Sequence, residues 1–510
     1  MWGTDPVPLT PTQQGESMRK VTKGLAPLVA LALVAAACGG DDDDDGGGAT
    51  AEDTGSSEAT ADTGDMSEES SDMSEESSDM SEESSDMSEE SSDTGGGEID
   101  PASIAFDYGM DEDTIRIGMN ADLSGIFAST VTPVVDAQEV FWETVNENGG
   151  IAGRQVELIV KDNAYDVPTH LENYEEFRSE GDEGVIFISQ STGSPHTAAT
   201  AEMLVEDNLL AIPLSWYSGW ADPNIGKNVM ELYTLYCIEA MNGVEYLTGA
   251  NDATTIGIVS FPGEYGQDGA TGAKIAAEAL GLEVVYDGEG AVVPGADQTP
   301  VITELVAADP DIVWATTNGP TLAEIMGAAY QQGLRAHWSG NSPSWDPDLL
   351  GTDFGPIADE LYTYSTYTAL WDSFESPGMT DLKDAMREKR PDAQIEDTYI
   401  WGWTEGLATL AVLEQAAANG DMTRAGVVQA FNEVSVDFQG LAPDQQWFGD
   451  PNDFIVRESY LYDVDASLYK PEATVSDDAP GATGISLLEG PYVGDIAANY
   501  DFQGACFTAE

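Results

Sequence analysis

The chain has 510 residues, with 94 Asp and Glu against 17 Lys and Arg, a net charge of −77 at pH 7. Such a field repels phosphate backbones and anionic lipid surfaces, which argues against nucleic acid and against charge-driven membrane docking. It also keeps a protein soluble at high ionic strength, where self-repulsion is screened.

In chain order, the first signal is a basic stretch, Arg19, Lys20 and Lys23, then an apolar run over 25–33 and the small residues Ala35, Ala36 and Ala37 before Cys38. That layout reads as a secretory signal peptide of the bacterial lipoprotein type over 1–37, with the Cys38 thiol as the lipidation site. The apolar run is shorter than the roughly 20 residues of a spanning helix. Met18 offers an alternative start. The expected location is the cell surface, outside the cytoplasm, with a lipid anchor in the cytoplasmic membrane.

Residues 38–112 are low in complexity. Asp41 to Asp45 precede a glycine run, and Met-Ser-Glu-Glu-Ser-Ser-Asp then repeats four times from Met66 to Asp93. One Met per heptad leaves no apolar seam, so the repeat reads as a disordered acidic tether rather than a coiled coil. About 60 such residues reach roughly 40–45 Å as a random coil.

From 113 the pattern changes to short β-branched runs alternating with amphipathic stretches. Strands are predicted over 114–119, 156–161, 184–189 and 209–213, with helices over 133–148, 171–178 and 195–207 between them. A second series follows Cys237, with strands over 255–260, 283–286 and 312–316 and helices over 238–247, 266–280, 299–308 and 321–332. Further helices are predicted over 382–389, 398–419 and 423–432, then a strand over 454–462 and an irregular end. Two βαβ series of this length predict an α/β protein of two Rossmann-like lobes with parallel sheets. Cys237 and Cys506 are most simply paired in an exported protein, two free thiols being the alternative.

Parallel α/β sheets bind ligands beyond the carboxyl ends of their strands. Those positions here carry Ser124 and Phe127, then Ser191, Thr192 and Ser194, then Ser215, Trp216 and Tyr217. In the second series they carry Tyr265, Asn318 and Ser342. Hydroxyls, amides and rings with few charges suit a small solute held by hydrogen bonds and ring packing. Ser194 as N-cap and Pro195 at the first helical position would aim free backbone N–H groups at a ligand anion. Catalysis is poorly supported, and no enzyme activity, metal or cofactor is expected. His170, His196 and His337 show no ligand spacing and read as solvated, and no nucleophile elbow or phosphate loop occurs.

Two stretches resemble a known family: Ile115-Arg116-Ile117-Gly118 through Asp122-Leu123-Ser124-Gly125, and Val145-Asn146-Glu147-Asn148-Gly149-Gly150-Ile151-Ala152-Gly153-Arg154. Together they resemble the extracellular solute-binding proteins of branched-chain amino acid and amide ABC importers, of the type I periplasmic binding protein fold. Glu264-Tyr265-Gly266-Gln267 and the segment from Phe438-Gln439-Gly440 to Trp447 add to the likeness. The resemblance implies two lobes, 113–236 with 367–456 and 237–366 with 457–510. Three hinge crossings would join them, near Tyr236, Thr366 and Arg457. It implies a monomer that hands a small-molecule solute to ABC permease subunits, or alternatively a ligand-sensing receptor module. By resemblance Ser191, Thr192 and Ser194 lie where amino-acid binders hold the α-carboxylate, Ser215 to Tyr217 form the next contact loop, and Tyr265 is the second lobe's aromatic. Two departures tell against a leucine-type ligand. Gly340-Asn341-Ser342 offers no carboxylate for an α-amino group, and Asn318 stands where those relatives are aromatic. An amide, a urea-like compound or an aromatic solute suits Trp216, Tyr217 and Trp345 at least as well.

Overall fold

In the computed structural model, which describes residues 101–509, each β-branched run becomes a strand of a parallel sheet and each amphipathic stretch a helix beside it. The signal peptide, Cys38 and most of the tether lie outside the described residues. The first sheet takes β1 (Thr114–Ala121), β2 (Gln155–Asp162), β3 (Phe187–Thr192) and β4 (Leu210–Leu214) in the order β2-β1-β3-β4, all parallel. Between them run α1 (Ala128–Glu147), α2 (Val167–Phe177) and α3 (Ser194–Glu206). The central strand β3 is buried along its whole length, whereas the edge strand β2 is largely half-exposed, the burial contrast expected of inner and outer strands.

The second lobe repeats the plan. Helix α4 (Tyr236–Asn251) leads into β5 (Thr255–Ser260), α5 (Gly263–Leu280), β6 (Glu283–Gly288), α6 (Thr299–Ala308), β7 (Ile312–Thr316), α7 (Gly319–Gln331) and β8 (His337–Gly340). Its parallel order is β6-β5-β7-β8. After α8 (Gly355–Leu361), strands β9 (Thr363–Thr366), β10 (Ser459–Val464) and β11 (Ile485–Tyr492) form an antiparallel sheet in that order. A bridge from Trp338 to Tyr362 joins it to the edge of β8. Val456 bridges to Thr234, and Thr366 pairs with Tyr460.

Between β9 and β10 the chain returns to the first sheet as α9 (Pro377–Lys389), α10 (Tyr399–Ala418) and α11 (Arg424–Phe431). Helix α10 lies close on α1. A side chain at Gly402 would come within 2.1 Å of the Val134 carbonyl oxygen, and one at Gly406 within 2.6 Å of the Phe141 ring. Only hydrogen at these two positions permits so close a backbone approach. Arg424, 4% exposed, donates to the carbonyls of Val185, Arg178 and Phe177, pinning α11 to the loop between α2 and β3.

Several elements depart from expectation. Helix α1 begins at Ala128 rather than 133 and carries Pro133 inside it. The proline deprives only the Ser129 carbonyl of its helical donor, and Ser129 is exposed, so the loss falls at the helix surface. The strand expected over 454–462 is split. Asp450 caps a helical turn over Pro451–Phe454 by accepting from the Asn452 N–H, and the strand starts only at Ser459. A capping acid followed by proline outweighs the local apolar run. The end is not irregular throughout, since it supplies β11 and a short α12 (Asp495–Asn499). A disulfide joins Cys237 on α4 to Cys506, with Cα atoms 6.5 Å apart. Among the described residues no helix is long and apolar enough to cross a membrane.

Candidate functional site

The carboxyl ends of β3 and β4 face the loops after β5, β7 and β8, and a cavity of about 370 Å³, open mouth included, lies between them. The first lobe lines it with Phe127, Thr130, Val131, Tyr165, Thr192, Gly193, Ser194, Leu214, Trp216 and Trp401. Tyr236, Tyr265 and Pro343 complete the wall. None of these side chains carries a charge.

The polar corner of the cavity is the start of α3. The N-cap is Gly193 rather than Ser194, and no side chain caps this helix. Pro195 has no N–H and that of Thr197 bonds the Gly193 carbonyl, which leaves the Ser194 and His196 N–H groups at an end whose dipole favours an anion. Thr192 Oγ1 beside it is buried without a hydrogen-bond partner. Gly193 adopts φ +103°, and a Cβ there would stand 2.3 Å from His196 Nδ1 and 3.0 Å from the Tyr165 ring. Both the conformation and the space therefore require glycine. Ser194 Oγ and Ser215 Oγ are 2.7 Å apart, and Trp220 Nε1 donates to Ser215 Oγ at 3.0 Å.

The rest of the wall is aromatic. Trp216 stacks on Tyr367 with centroids 4.5 Å apart and meets Trp401 edge-on at 5.2 Å. Tyr236 and Tyr265 rings lie 4.7 Å apart, and Phe127 reaches Tyr165 at 4.9 Å. Tyr265 donates its hydroxyl to the Thr317 carbonyl at 2.5 Å, and burial raises its pKa well above the usual phenol value. It therefore stays neutral and offers the cavity a ring face rather than a charge. The lobes touch beside this site. Asn318 Nδ2 donates to the Ile126 carbonyl at 3.0 Å, and Ser129 Oγ to Asp346 Oδ2 at 2.9 Å.

Of the residues singled out in the sequence, Phe127, Thr192, Ser194, Trp216 and Tyr265 line the cavity together. The others do not line it. Ser124 donates to Asp162 and Tyr217 to the Phe507 carbonyl. Ser191 contacts Thr197 and His170, and Ser342 donates to Thr366. Ser215 sits behind Ser194, and Asn318 caps α7 while reaching across to Ile126. Tyr165, Tyr236 and Trp401 were missed. Tyr165 follows β2 and would have come from extending the strand-end rule to that strand, whereas Trp401 lies inside a helix that reads as ordinary core.

Two further readings need correction. His170 and His196 are not solvated but each 1% exposed, because α2 and α3 pack against each other over β3. Burial depresses them to about 3 and about 4. A carboxylate does stand beside Ser342, supplied from α4 by Glu239, which accepts from the Ser342 N–H at 3.1 Å, Asn341 Nδ2 at 2.7 Å and Ser365 Oγ at 3.1 Å. Burial first, against those hydrogen bonds, pushes it up to about 8. Glu239 is occupied in holding the loop after β8 and does not line the cavity.

Two parallel α/β lobes with a cavity between their strand ends define a two-lobed binding protein. The chain belongs to the periplasmic binding protein family, which matches residues 114–468. Its fold is the type I form found in substrate-binding proteins of ABC transporters. It is similar to a fatty acid ABC transporter substrate-binding protein from Thermomonospora curvata, at 26% identity and TM-score 0.69 over 78% of this chain and 97% of that one. It also resembles in fold a branched-chain amino acid ABC transporter structure from Thermus thermophilus with bound valine, at 17% identity and TM-score 0.61 over 76% and 98%. A leucine binding protein from Thermotoga maritima is similar at 16% identity and TM-score 0.57 over 69% and 95%. No curated protein matches the sequence.

Proposed function

We propose that the chain is a lipid-anchored solute receptor of an ABC importer, binding a small solute with an apolar or aromatic body and a carboxylate or amide head. The observation that carries this is the pairing, in one uncharged cavity, of a ring-lined wall with an uncapped helix N-terminus and the unpartnered Thr192 hydroxyl. The wall suits the body of the solute and the α3 corner its head. A free α-amino group finds no carboxylate among the lining residues, which favours fatty or aromatic acids over leucine. The protein from Thermomonospora curvata is named for fatty acids, which accords with this preference.

Ligand would bridge the lobes and favour the closed form by its greater affinity for it. The lobes are assigned as 113–236 with 367–456 and 237–366 with 457–510. This division accords with helices α9 to α11 beside the first sheet and β9 to β11 extending the second. Cys38 carries the anchor, and the permease receives the solute.

The test is a thermal-shift and calorimetric panel of octanoate, phenylacetate, leucine and acetamide. A solute at 100 times its Kd adds about 2.7 kcal/mol of apparent stability. Octanoate or phenylacetate should bind more tightly than leucine, and Tyr265→Ala should weaken that binding by about 1–3 kcal/mol. Binding of none of the four, or an unchanged affinity in the variant, overturns the assignment.

A further inference from the structure

A second chamber of about 560 Å³, open space included, adjoins the cavity and shares Thr130 and Trp401 with it. Its composition is the reverse of its neighbour's. Asp346 and Asp348 enter from the second lobe, Glu396 and Asp397 from the loop before α10, and Trp345, Tyr364 and Trp401 supply the aromatic surface. No Lys or Arg lines it, and the described ion pairs include none of the four acids.

The hydrogen bonds of these acids are incomplete. Asp346 accepts from Ser129 Oγ and the Asp348 N–H, and Asp348 accepts from Tyr469. Asp397, 5% exposed, accepts from the Trp371 N–H through Oδ1 and is stabilised by the Thr483 hydroxyl, whose approach to the buried Oδ2 falls short of good hydrogen-bond geometry. The indole N–H groups of Trp345 and Trp401, 3% and 1% exposed, are likewise without acceptors. Burial, then repulsion from Asp348, Asp397, Asp346 and Asp136, raises Glu396 to about 8. With no cation beside them these buried acids favour the neutral form, and a cation brought against them would favour their carboxylates; of the basic residues only Lys383, paired with Asp372, acts on Asp397 from outside.

We propose that this chamber is a binding subsite for an organic ammonium group carrying a hydroxyl or carbonyl oxygen. The carboxylates attract the cation, the ring faces of Trp345, Tyr364 and Trp401 suit a substituted ammonium, and the two indole N–H groups serve the oxygen. A compact metal ion fits less well. Among the described residues, the group of three acid, His or Cys side chains whose ligand atoms converge within 4.8 Å is Cys237, Asp268 and Cys506, elsewhere in the fold. No three of the chamber acids converge so closely. Because the chamber opens beside the first cavity, the subsite rests on the solute-receptor reading and extends it to solutes with a cationic end.

The probe is choline, titrated calorimetrically into the whole protein in roughly 1 M sodium chloride, where a Debye length of about 3 Å removes diffuse attraction to the acidic surface. Its uncharged isostere 3,3-dimethylbutan-1-ol and calcium chloride are run beside it. Choline should give saturable heat with one site, and Asp397→Asn and Glu396→Gln should each weaken it about tenfold or more. The isostere should give none. Glu396 is half-buried and makes no described hydrogen bond, so its variant keeps the test decisive if Asp397→Asn fails to fold. No saturable heat from choline, equal binding in a folded variant, or binding of calcium with none of choline overturns the subsite. If octanoate binds and choline does not, the subsite falls and the receptor reading stands. If choline binds and the acid panel does not, the subsite stands and the assignment of the α3 corner falls.

Discussion

Replacing Gly193 with alanine tests the geometry of the α3 corner most directly. Two costs arise from the structure. The backbone at φ +103° is one that side-chain-bearing residues adopt at about 1–3 kcal/mol. The new methyl would also stand 2.3 Å from His196 Nδ1, a ring held by Tyr165 at 4.5 Å and His170 at 5.4 Å. Forcing an extra group into such packing costs about 1–3 kcal/mol. Alanine recovers some of this, about 0.4–1 kcal/mol, by restricting the unfolded chain. The net loss is therefore about 1–5 kcal/mol, read as a lower urea midpoint at unchanged slope. Gly149 provides the control, having φ +106° with nothing within 4 Å of its would-be Cβ. Gly149→Ala should show the backbone cost alone, so the gap between the variants isolates the steric clash. Equal loss in the two variants, or a Gly193→Ala protein as stable as the parent, would refute the reasoning about this corner.

Melting temperature should fall as pH rises from about 5 to 8. Burial raises Glu239 and Glu231 to about 8 and Asp268 and Asp397 to about 7. A carboxyl raised in the folded state contributes fully below its unfolded pKa of ~4 and loses that contribution as pH climbs through the folded value. His170 and His196, lowered to about 3 and about 4, act oppositely, their contribution being complete above ~6.5 and lost as pH falls through the folded values. Glu239→Gln should flatten the upper part of the profile, and a parent profile that rises steadily to pH 8 would contradict the burial argument. Cys506→Ser opens a link spanning 269 residues and should cost about 2–4 kcal/mol. Thermal unfolding with and without reductant checks it, since the variant should melt alike in both while the parent should not.

Much of the architecture was legible because the apolar periodicity is strong. β3 and β7 are buried runs with few interruptions, and α1 and α5 carry clear apolar faces. What escaped lay where tertiary context decides. Trp401 reads as one more ring in an apolar helix, and only the approach of α10 to α1 brings it to the cleft. Tyr217 and Ser342 have the residue types of ligand contacts, yet partners distant in sequence, Phe507 and Thr366, use their hydroxyls. Glu239 was one acid among 94, and its role depends on α4 lying beneath the loop after β8. The same excess of acids hid Asp346, Asp348, Glu396 and Asp397, which become notable only when two lobes bring them to one chamber.

The bridges Thr234 to Val456 and Thr366 to Tyr460 give the proposed joint a mechanical character. Ribbons bonded flank to flank behave as a leaf spring, compliant in flexure and stiff in shear. Sliding one ribbon past another would break those bonds, whereas bending all three together preserves them. Closure about such a joint would follow a single arc and carry Ser129 and Asn318 to Asp346 and Ile126 in one alignment.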